Sequence, residues 1–144
     1  MKRHDKLADT LPVGTLGILA LESSHDMGKR VNDYIVDWRK DRAAQNATAS
    51  TFAGYNRDSF LIDSACPRFG SGEAKGIINE SVRGDDLYLL VDVCNYSLTY
   101  TVCGHTNHMS PDDHYQDLKR IIAAVGGKAR RCLLYTSDAA DDLI

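Results

Sequence analysis

The sequence predicts an α/β fold with a mainly parallel sheet flanked by helices. Residues 16–21 are a short apolar run, which is the form of a strand buried on both faces. An amphipathic helix pattern follows this run at once, and a strand followed directly by a helix opens a βα unit. Residues 86–92 are a second, almost wholly apolar run and the best candidate for a central strand.

Length and composition indicate one globular domain. The chain has 144 residues, of which 43% are hydrophobic and 26% charged, and this suffices for one sizeable core but not for two. No apolar segment approaches the roughly 20 residues that cross a bilayer. The net charge of −3 offers no basic surface. We therefore expect neither nucleic-acid nor membrane binding.

The first helix is predicted to begin at Ser23 or Ser24, either of which could serve as the N-cap. Its apolar residues recur at helical spacing and form one face, on which we interpret Trp38 as a core residue. The members of this face are Met27, Val31, Tyr34, Ile35 and Trp38.

The middle of the chain is less regular. We interpret residues 1–13 as an N-terminal arm and residues 41–58 as an inserted surface loop or frayed helix end. Residues 59–63 are a predicted strand. Gly84 lies between two runs with apolar residues, at 74–82 and 86–92, and we interpret its surroundings as a hairpin turn.

A second helix is predicted to begin at Ser110, where a serine cap, Pro111 and two acids come together. Gly126 and Gly127 end it. The stripe predicted to be buried consists of Tyr115, Leu118, Ile121, Ile122 and Val125.

The last residues differ in character from the rest. Three aspartates in the segment 132–144 account for the whole net charge. Residues 132–142 also resemble the translation of a transposon-end adapter used in sequencing libraries. We interpret 132–144 as a non-native tail and 14–131 as an incomplete domain. The alternative is a genuine short strand at residues 132–135 with an acidic end.

The cysteines predict free thiols. The four cysteines form no CxxC pair, and the basic start of the chain lacks the apolar stretch of a secretory signal. We therefore expect reduced thiols in a cytoplasmic protein. A zinc site could be imagined from Cys94, Cys103 and the histidines at 105, 108 and 114, but the cysteine spacing is too long for the usual knuckle. A polar surface or subunit-contact loop at 95–108 is the simpler interpretation.

One short segment has the composition of a ligand loop. Arg68-Phe-Gly-Ser-Gly-Glu73 sets an aromatic ring, a hydroxyl and a carboxylate beside two glycines, which allow close backbone approach. It is not a phosphate-binding Walker loop, because no Gly-Lys-Ser/Thr follows. Composition alone leaves an ordinary turn and a nucleotide loop as alternatives.

The segment Ile78-Asn-Glu-Ser-Val-Arg-Gly-Asp-Asp-Leu-Tyr88, taken with 68–73, resembles the ribose-phosphate pyrophosphokinases. The resemblance covers residues 14–131 and is strongest over 67–93. It implies a phosphoribosyltransferase-like (flavodoxin-like) fold, truncated to the N-terminal domain. The arm, the insert at 41–58 and the stretch 95–108 depart from the compact family pattern, which suggests a divergent branch.

The resemblance also implies a function. The parent protein would transfer the pyrophosphoryl group of ATP to ribose 5-phosphate, giving 5-phosphoribosyl 1-diphosphate and AMP with Mg²⁺. In the family, the loop that matches 69–73 holds the adenine and ribose of ATP at a site shared between subunits. This implies ATP-binding roles for Phe69, Ser71, Gly72 and Glu73, and self-association. The family's Mg²⁺ ligands and ribose 5-phosphate loop match no residue here, so we expect this chain to be inactive alone.

Two other functions remain open from the sequence. Some relatives of these enzymes lack catalytic residues and act as regulatory, oligomer-forming subunits. An unrelated flavodoxin-like binding module is the third candidate, and it requires the match over 69–86 to be coincidental.

Overall fold

The computed structural model describes residues 12–45 and 52–135. Its strands are β1 (Leu16–Ala20), β2 (Ser64–Ala65), β3 (Ile77–Ile78), β4 (Asp86–Leu90), β5 (Thr99–Val102), β6 (His105–His108) and β7 (Arg131–Tyr135). Its helices are α1 (His25–Ala44) and α2 (Pro111–Val125), and a short 3₁₀ turn at Glu22–Ser24 precedes α1. The predicted arm at 1–13 lies largely outside the described residues, as does part of the insert at 41–58.

The central sheet is parallel, with β4 between β1 and β7. The predicted strand at 59–63 is an extended segment on the other side of β1. There the Ile18 amide donates to the Phe60 carbonyl at 2.7 Å, and the Ile62 amide donates to the Ile18 carbonyl at 2.8 Å. Helices flank this sheet, so the predicted α/β class is confirmed.

Apolar side chains cover both faces of the sheet, as expected for parallel strands between two helical layers. The core on the α2 side comprises Leu19, Leu21, Ile62, Val82, Leu87, Leu89, Val91, Leu118, Ile121 and Val125. The core on the α1 side comprises Leu16, Ile18, Val36, Phe60 and Leu90. The two apolar runs that were predicted as strands thus form the middle layer of the molecule.

The predicted start and end of α2 are confirmed. The Ser110 hydroxyl accepts from the Asp113 amide at 3.2 Å, and the Asp113 carboxylate accepts from the Ser110 amide at 2.9 Å. This reciprocal pair is a capping box, which satisfies amides that would otherwise lack partners. At the other end Gly126 adopts a left-handed conformation, with φ 58°.

The predicted buried face of α1 is wrong for four of its five residues, and only Ile35 packs partly buried against the core. Trp38 is 49% exposed, and Tyr34 is more exposed than Trp38. Met27 and Val31 are also exposed, although less than Trp38. The helix instead packs through small or polar residues, and its buried residues are Gly28, Asn32 and Val36. A Cβ at Gly28 would collide with the Ala20 side chain, and the Asn32 side chain accepts from the Phe60 amide at 2.8 Å. Close approach and a polar bond, rather than apolar area, therefore set the orientation of α1.

The N-cap of α1 is Ser24, but its hydroxyl does not cap the helix. It donates to the Leu90 carbonyl at 2.7 Å and so joins the start of α1 to the end of β4. The predicted N-cap position at Ser24 is therefore correct, but its hydroxyl makes a tertiary contact instead of capping the helix.

The predicted hairpin about Gly84 is also wrong. A turn is present, with Gly84 at φ 80°. However, β4 pairs in parallel with β1, and the short β3 that precedes the turn pairs with β2. A buried strand with apolar residues on both faces is stabilised more by a central position, paired over five residues with both β1 and β7, than by pairing with the two-residue β3 that precedes it.

The predicted boundary at residue 131 falls within β7. This strand pairs with β4 along five residues, and the Arg131 guanidinium donates to the Asp86 carboxylate at 2.6 Å. Most side chains of β7 are exposed, Leu134 and Tyr135 among them. Residues 136–144 lie outside the described residues, and a non-native origin of 132–144 stays a prediction.

Within the described residues, no helix combines the length and apolar character that crossing a bilayer requires.

Two neighbouring isoleucines of α2 test the helix orientation. The sequence predicts that both are buried, whereas Ile121 is 1% and Ile122 is 44% exposed. We expect Ile121→Val to lower the free energy of unfolding by about 0.5–1.5 kcal/mol, because it deletes a buried methylene. Ile122→Val, the matched control, should change it by less than about 0.5 kcal/mol. Urea titrations followed by far-UV circular dichroism measure both, and equal losses would contradict this orientation.

The capping box predicts a dependence of stability on acid. Burial raises the pKa of Asp113, but hydrogen bonds from Ser110 and the charge of Arg68 outweigh it, so the pKa is lowered below 3.8. The unfolded chain thus takes up this proton more readily than the folded chain, and the stabilisation present above pH 4 is lost as pH falls through the folded pKa. Asp113→Asn should therefore flatten the decline in melting temperature between pH 5 and pH 2, as measured by differential scanning fluorimetry. Parallel curves for the two proteins would refute this role.

Candidate functional site

The segment 68–73 folds as a tight loop between two extended residues. Arg68 and Ala74 form an antiparallel bridge. Inside it the Phe69 amide donates to the Glu73 carbonyl at 2.7 Å, and the Gly72 amide donates to the Phe69 carbonyl at 2.9 Å. Gly72 has φ 91°. This is the pattern of a three-residue hairpin loop whose last residue is left-handed, which explains the glycine at that position.

The loop presents its functional groups to solvent. The Phe69 ring is 53% exposed, so Phe69 is not a core residue. The side chains of Ser71 and Glu73 are also exposed, while Gly72 is half-buried. The structure therefore brings together the four predicted residues on one short loop with a defined backbone. An aromatic face beside a hydroxyl and a carboxylate can stack on a planar base and hydrogen-bond a sugar.

The Arg68 side chain supports this loop through a hydrogen bond to its backbone. This side chain is only 11% exposed, and its guanidinium donates to the Gly72 carbonyl at 3.3 Å and to the Asp117 carboxylate at 3.2 Å. Arg120 donates to the same carboxylate at 2.7 Å. A nearly buried guanidinium holds its partners in a defined geometry, because loss of any partner would leave a buried charge without compensation.

The Tyr100 ring completes the surroundings of Arg68. It lies 4.3 Å from the guanidinium carbon, within cation–π distance. The Asp113 carboxylate also lies 3.9 Å from the Arg68 guanidinium. Sequence reasoning identified the loop but missed Tyr100, Asp113 and Asp117 as its supports. No local pattern marks them, since they lie 30 or more residues away and act through the fold.

A cavity of about 340 Å³ lies beside this network. It is lined by the carboxyl end of β1, residues 64–67, and the inner face of α2, including His114 and Asp117. Cys66 also lines it, and burial, followed by the charge of Asp117, raises the pKa of this thiol to about 11. Cys66 is therefore a protonated thiol at neutral pH, unsuited to nucleophilic attack.

A second cavity, of about 420 Å³, lies where β1 and β4 end side by side. This is the switch point at which open parallel sheets commonly bind ligands. Here it is lined by Glu22, Asp26 and Asp92, while the Ser23 carbonyl accepts from the Asn95 amide at 3.0 Å. The carboxylates repel phosphate, so this crevice disfavours a phosphate-binding flavodoxin-like module.

The described residues also bear on metals. Over 12–45 and 52–135, no three His, Cys, Asp or Glu side chains are grouped so that they could hold a metal ion. All four cysteines are free.

Comparison with known proteins bears on the family and the fold. No curated protein matches the chain. The family model for the N-terminal domain of ribose phosphate pyrophosphokinase, however, matches residues 16–134, which is most of the chain. The match includes the parallel sheet, both helices and the loop at 68–73. The chain therefore belongs to the ribose phosphate pyrophosphokinase family and carries its N-terminal domain.

Proposed function

We propose that this chain supplies the adenine- and ribose-contacting half of an ATP site. The complete protein would transfer the pyrophosphoryl group of ATP to ribose 5-phosphate and release AMP. Phe69 would cover one face of the base, and Glu73 and Ser71 would hydrogen-bond the base or sugar. Gly72 would let the nucleotide approach the backbone closely.

The observation that carries this proposal is the exposed aromatic ring on a rigid loop. The Phe69 ring is half exposed although three backbone hydrogen bonds fix the loop that bears it: Phe69 to Glu73, Gly72 to Phe69, and Lys75 to Pro67. A single exposed ring on a surface turn is common and by itself indicates no ligand. A preorganised stacking surface, by contrast, loses little conformational entropy when a base settles on it.

The charges around the loop suit a nucleoside better than a phosphate group. Arg68 is the cation of the loop, and Asp117 and the Gly72 carbonyl already occupy its guanidinium. Glu73 adds a negative charge beside it. The triphosphate and ribose 5-phosphate would therefore need cations from elsewhere.

Self-association is part of the proposal, since the family shares each ATP site between subunits. The exposed apolar residues of α1 support it: Tyr34 and Trp38 place large rings on the surface, and Met27 and Val31 lie beside them in the same helix. Aromatic residues at a surface are enriched in protein interfaces. The same surface would serve a regulatory, oligomer-forming subunit, which stays the alternative function.

Titration of the isotope-labelled 144-residue chain with ATP tests the loop directly. We expect chemical-shift changes concentrated at residues 69–73, with a dissociation constant in the millimolar range (about −4 kcal/mol), because half a site binds weakly. Phe69→Ala should weaken binding about tenfold, since stacking contributes about 0.5–1.5 kcal/mol beyond buried area. Glu73→Gln should weaken it at least fivefold if it removes a charge-assisted bond of about 1–3 kcal/mol.

Two controls belong to this titration. Tyr34→Ala removes another exposed ring, on the α1 side of the sheet, and should bind ATP as the unmodified chain does. Ribose 5-phosphate should leave residues 69–73 unperturbed, because no free cation of the loop meets its phosphate. Unchanged ATP binding in Phe69→Ala would reject the assignment of this loop.

We expect the purified 144-residue chain to form no AMP from ATP and ribose 5-phosphate in the presence of Mg²⁺. Pyrophosphoryl transfer depends on cations placed around the phosphates, and the buried Arg68 is committed to structural partners. A coupled AMP assay at high protein concentration measures this. Turnover that follows the chain through successive purification steps would refute the half-site proposal.

A further inference from the structure

Within the stretch 95–108, which the sequence predicts to be a polar surface or subunit-contact loop, residues 99–108 form a β-hairpin. β5 and β6 pair in antiparallel register, and the tip residues Cys103 and Gly104 both have positive φ, at 51° and 79°. Such a two-residue turn matches the twist of the strands. At the base, the Met109 amide donates to the Leu98 carbonyl at 2.9 Å. We call residues 99–108 the β5–β6 hairpin.

An isolated two-stranded hairpin is marginal in water and needs support from another part of the protein. Most side chains of β5 and all of those of β6 are exposed or half exposed, so a large apolar core does not supply that support. The hairpin must be held by a few specific contacts.

The His108 ring of β6 stacks on Tyr96 with 4.6 Å between ring centroids. Other contacts of the hairpin fall on the candidate nucleotide loop. The Tyr100 ring lies over the Arg68 guanidinium at 4.3 Å. The Cys103 thiol donates to the Gly70 carbonyl at 3.8 Å. A Val102 methyl carbon lies 3.5 Å from the position that a Cβ on Gly72 would take. Three successive parts of the hairpin therefore touch the loop along its length.

Arg68 transmits this contact to the loop backbone. Its guanidinium is stacked by Tyr100 on one face and donates from its edge to the Gly72 carbonyl and to Asp117 of α2. Lysine could not make these contacts at once, because they use the planar fork of arginine. Because the Arg68 side chain is nearly buried, little water screens its charge, and this strengthens the cation–π attraction to Tyr100.

We propose that the β5–β6 hairpin is a positioning element for the loop at 69–73, and that Tyr100 and Arg68 are its positioning residues. The hairpin fixes the loop in the conformation that exposes Phe69, so that nucleotide binding need not order it. The functional consequence rests on the proposed ATP role of the loop, whereas the positioning itself can be measured without a nucleotide.

Amide hydrogen exchange of the 144-residue chain tests the positioning. The reporters are the Phe69 and Gly72 amides, which are bonded within the loop. Tyr100→Ala should speed their exchange about three- to tenfold, because losing the ring favours local opening. Tyr100→Phe keeps the ring and should exchange as the unmodified chain does. Tyr115→Ala is the matched control: it removes a ring that stacks on Lys119, away from the loop, and should have no effect.

A second variant removes the hairpin itself. Since Leu98 and Met109 are already hydrogen-bonded, replacing residues 99–108 by Gly-Gly should close the gap with a tight turn. Loop amides should again exchange at least threefold faster, while amides of β1 and β4 keep their protection. Unchanged loop exchange in both Tyr100→Ala and the excised variant would overturn the proposal. If the excised variant fails to fold, the loop exchange rates of Tyr100→Ala and Tyr100→Phe decide the proposal, and equal rates in these two variants would overturn it.

Repeating these measurements with millimolar ATP distinguishes the positioning role of the hairpin from the proposed ATP-binding role of the loop. Faster loop exchange in Tyr100→Ala together with weaker ATP-induced shifts would support both. Faster exchange in a chain that shows no ATP-induced shifts even when unmodified would keep the positioning role and reject the nucleotide. Normal ATP binding with unchanged loop exchange in both Tyr100→Ala and the excised variant would reject the positioning role alone.

Discussion

The parallel pairing of β1 with β4 is the constraint on which the rest of the structure depends. Parallel neighbours start at the same edge of a sheet, so the chain must return from the end of β1 to the start of β4 by a long crossover. Residues 21–85 make this return, and they contain α1, the extended segment at 60–62 and the loop at 68–73. The loop lies between β2 and β3, which pair with each other in a separate two-stranded sheet. Its stability as a presenting surface follows from this placement together with its own backbone hydrogen bonds.

Arg68 turns that placement into a defined geometry. A guanidinium that is almost excluded from water must keep its donors satisfied, and here they reach the loop backbone and α2. The stacked Tyr100 ring adds the hairpin to the same cation. One buried charge thereby couples three segments that are far apart in sequence. The cost is that Arg68 cannot serve a phosphate, so a phosphate-bearing substrate must find its cations outside this loop.

The orientation of α1 shows how a hydrophobic pattern can mislead. Its apolar residues recur at helical spacing and would ordinarily mark the buried face. The sheet beneath the helix instead demands a close approach at Gly28 and a polar partner, Asn32, for the Phe60 amide. An unpaired buried amide costs more than an exposed apolar ring, and so the helix turns Tyr34 and Trp38 outward. Those rings then become a surface that self-association could cover.

The sequence by itself determined the layers of this protein. Runs such as 16–21 and 86–92 are apolar on both faces, and only a sheet buried on both sides accommodates them, while Ser110 and Gly126 fix where α2 begins and ends by local hydrogen bonding. The loop at 68–73 could also be singled out, because its glycines and its ring lie next to each other in the chain. Tertiary structure alone decided which strand pairs with which, so the expected hairpin at Gly84 gave way to a parallel neighbour. It also decided that Tyr100 and Asp117 support the loop, since a contact across 30 or more residues leaves no trace in local spacing, and a buried charge selects its partners by distance in space.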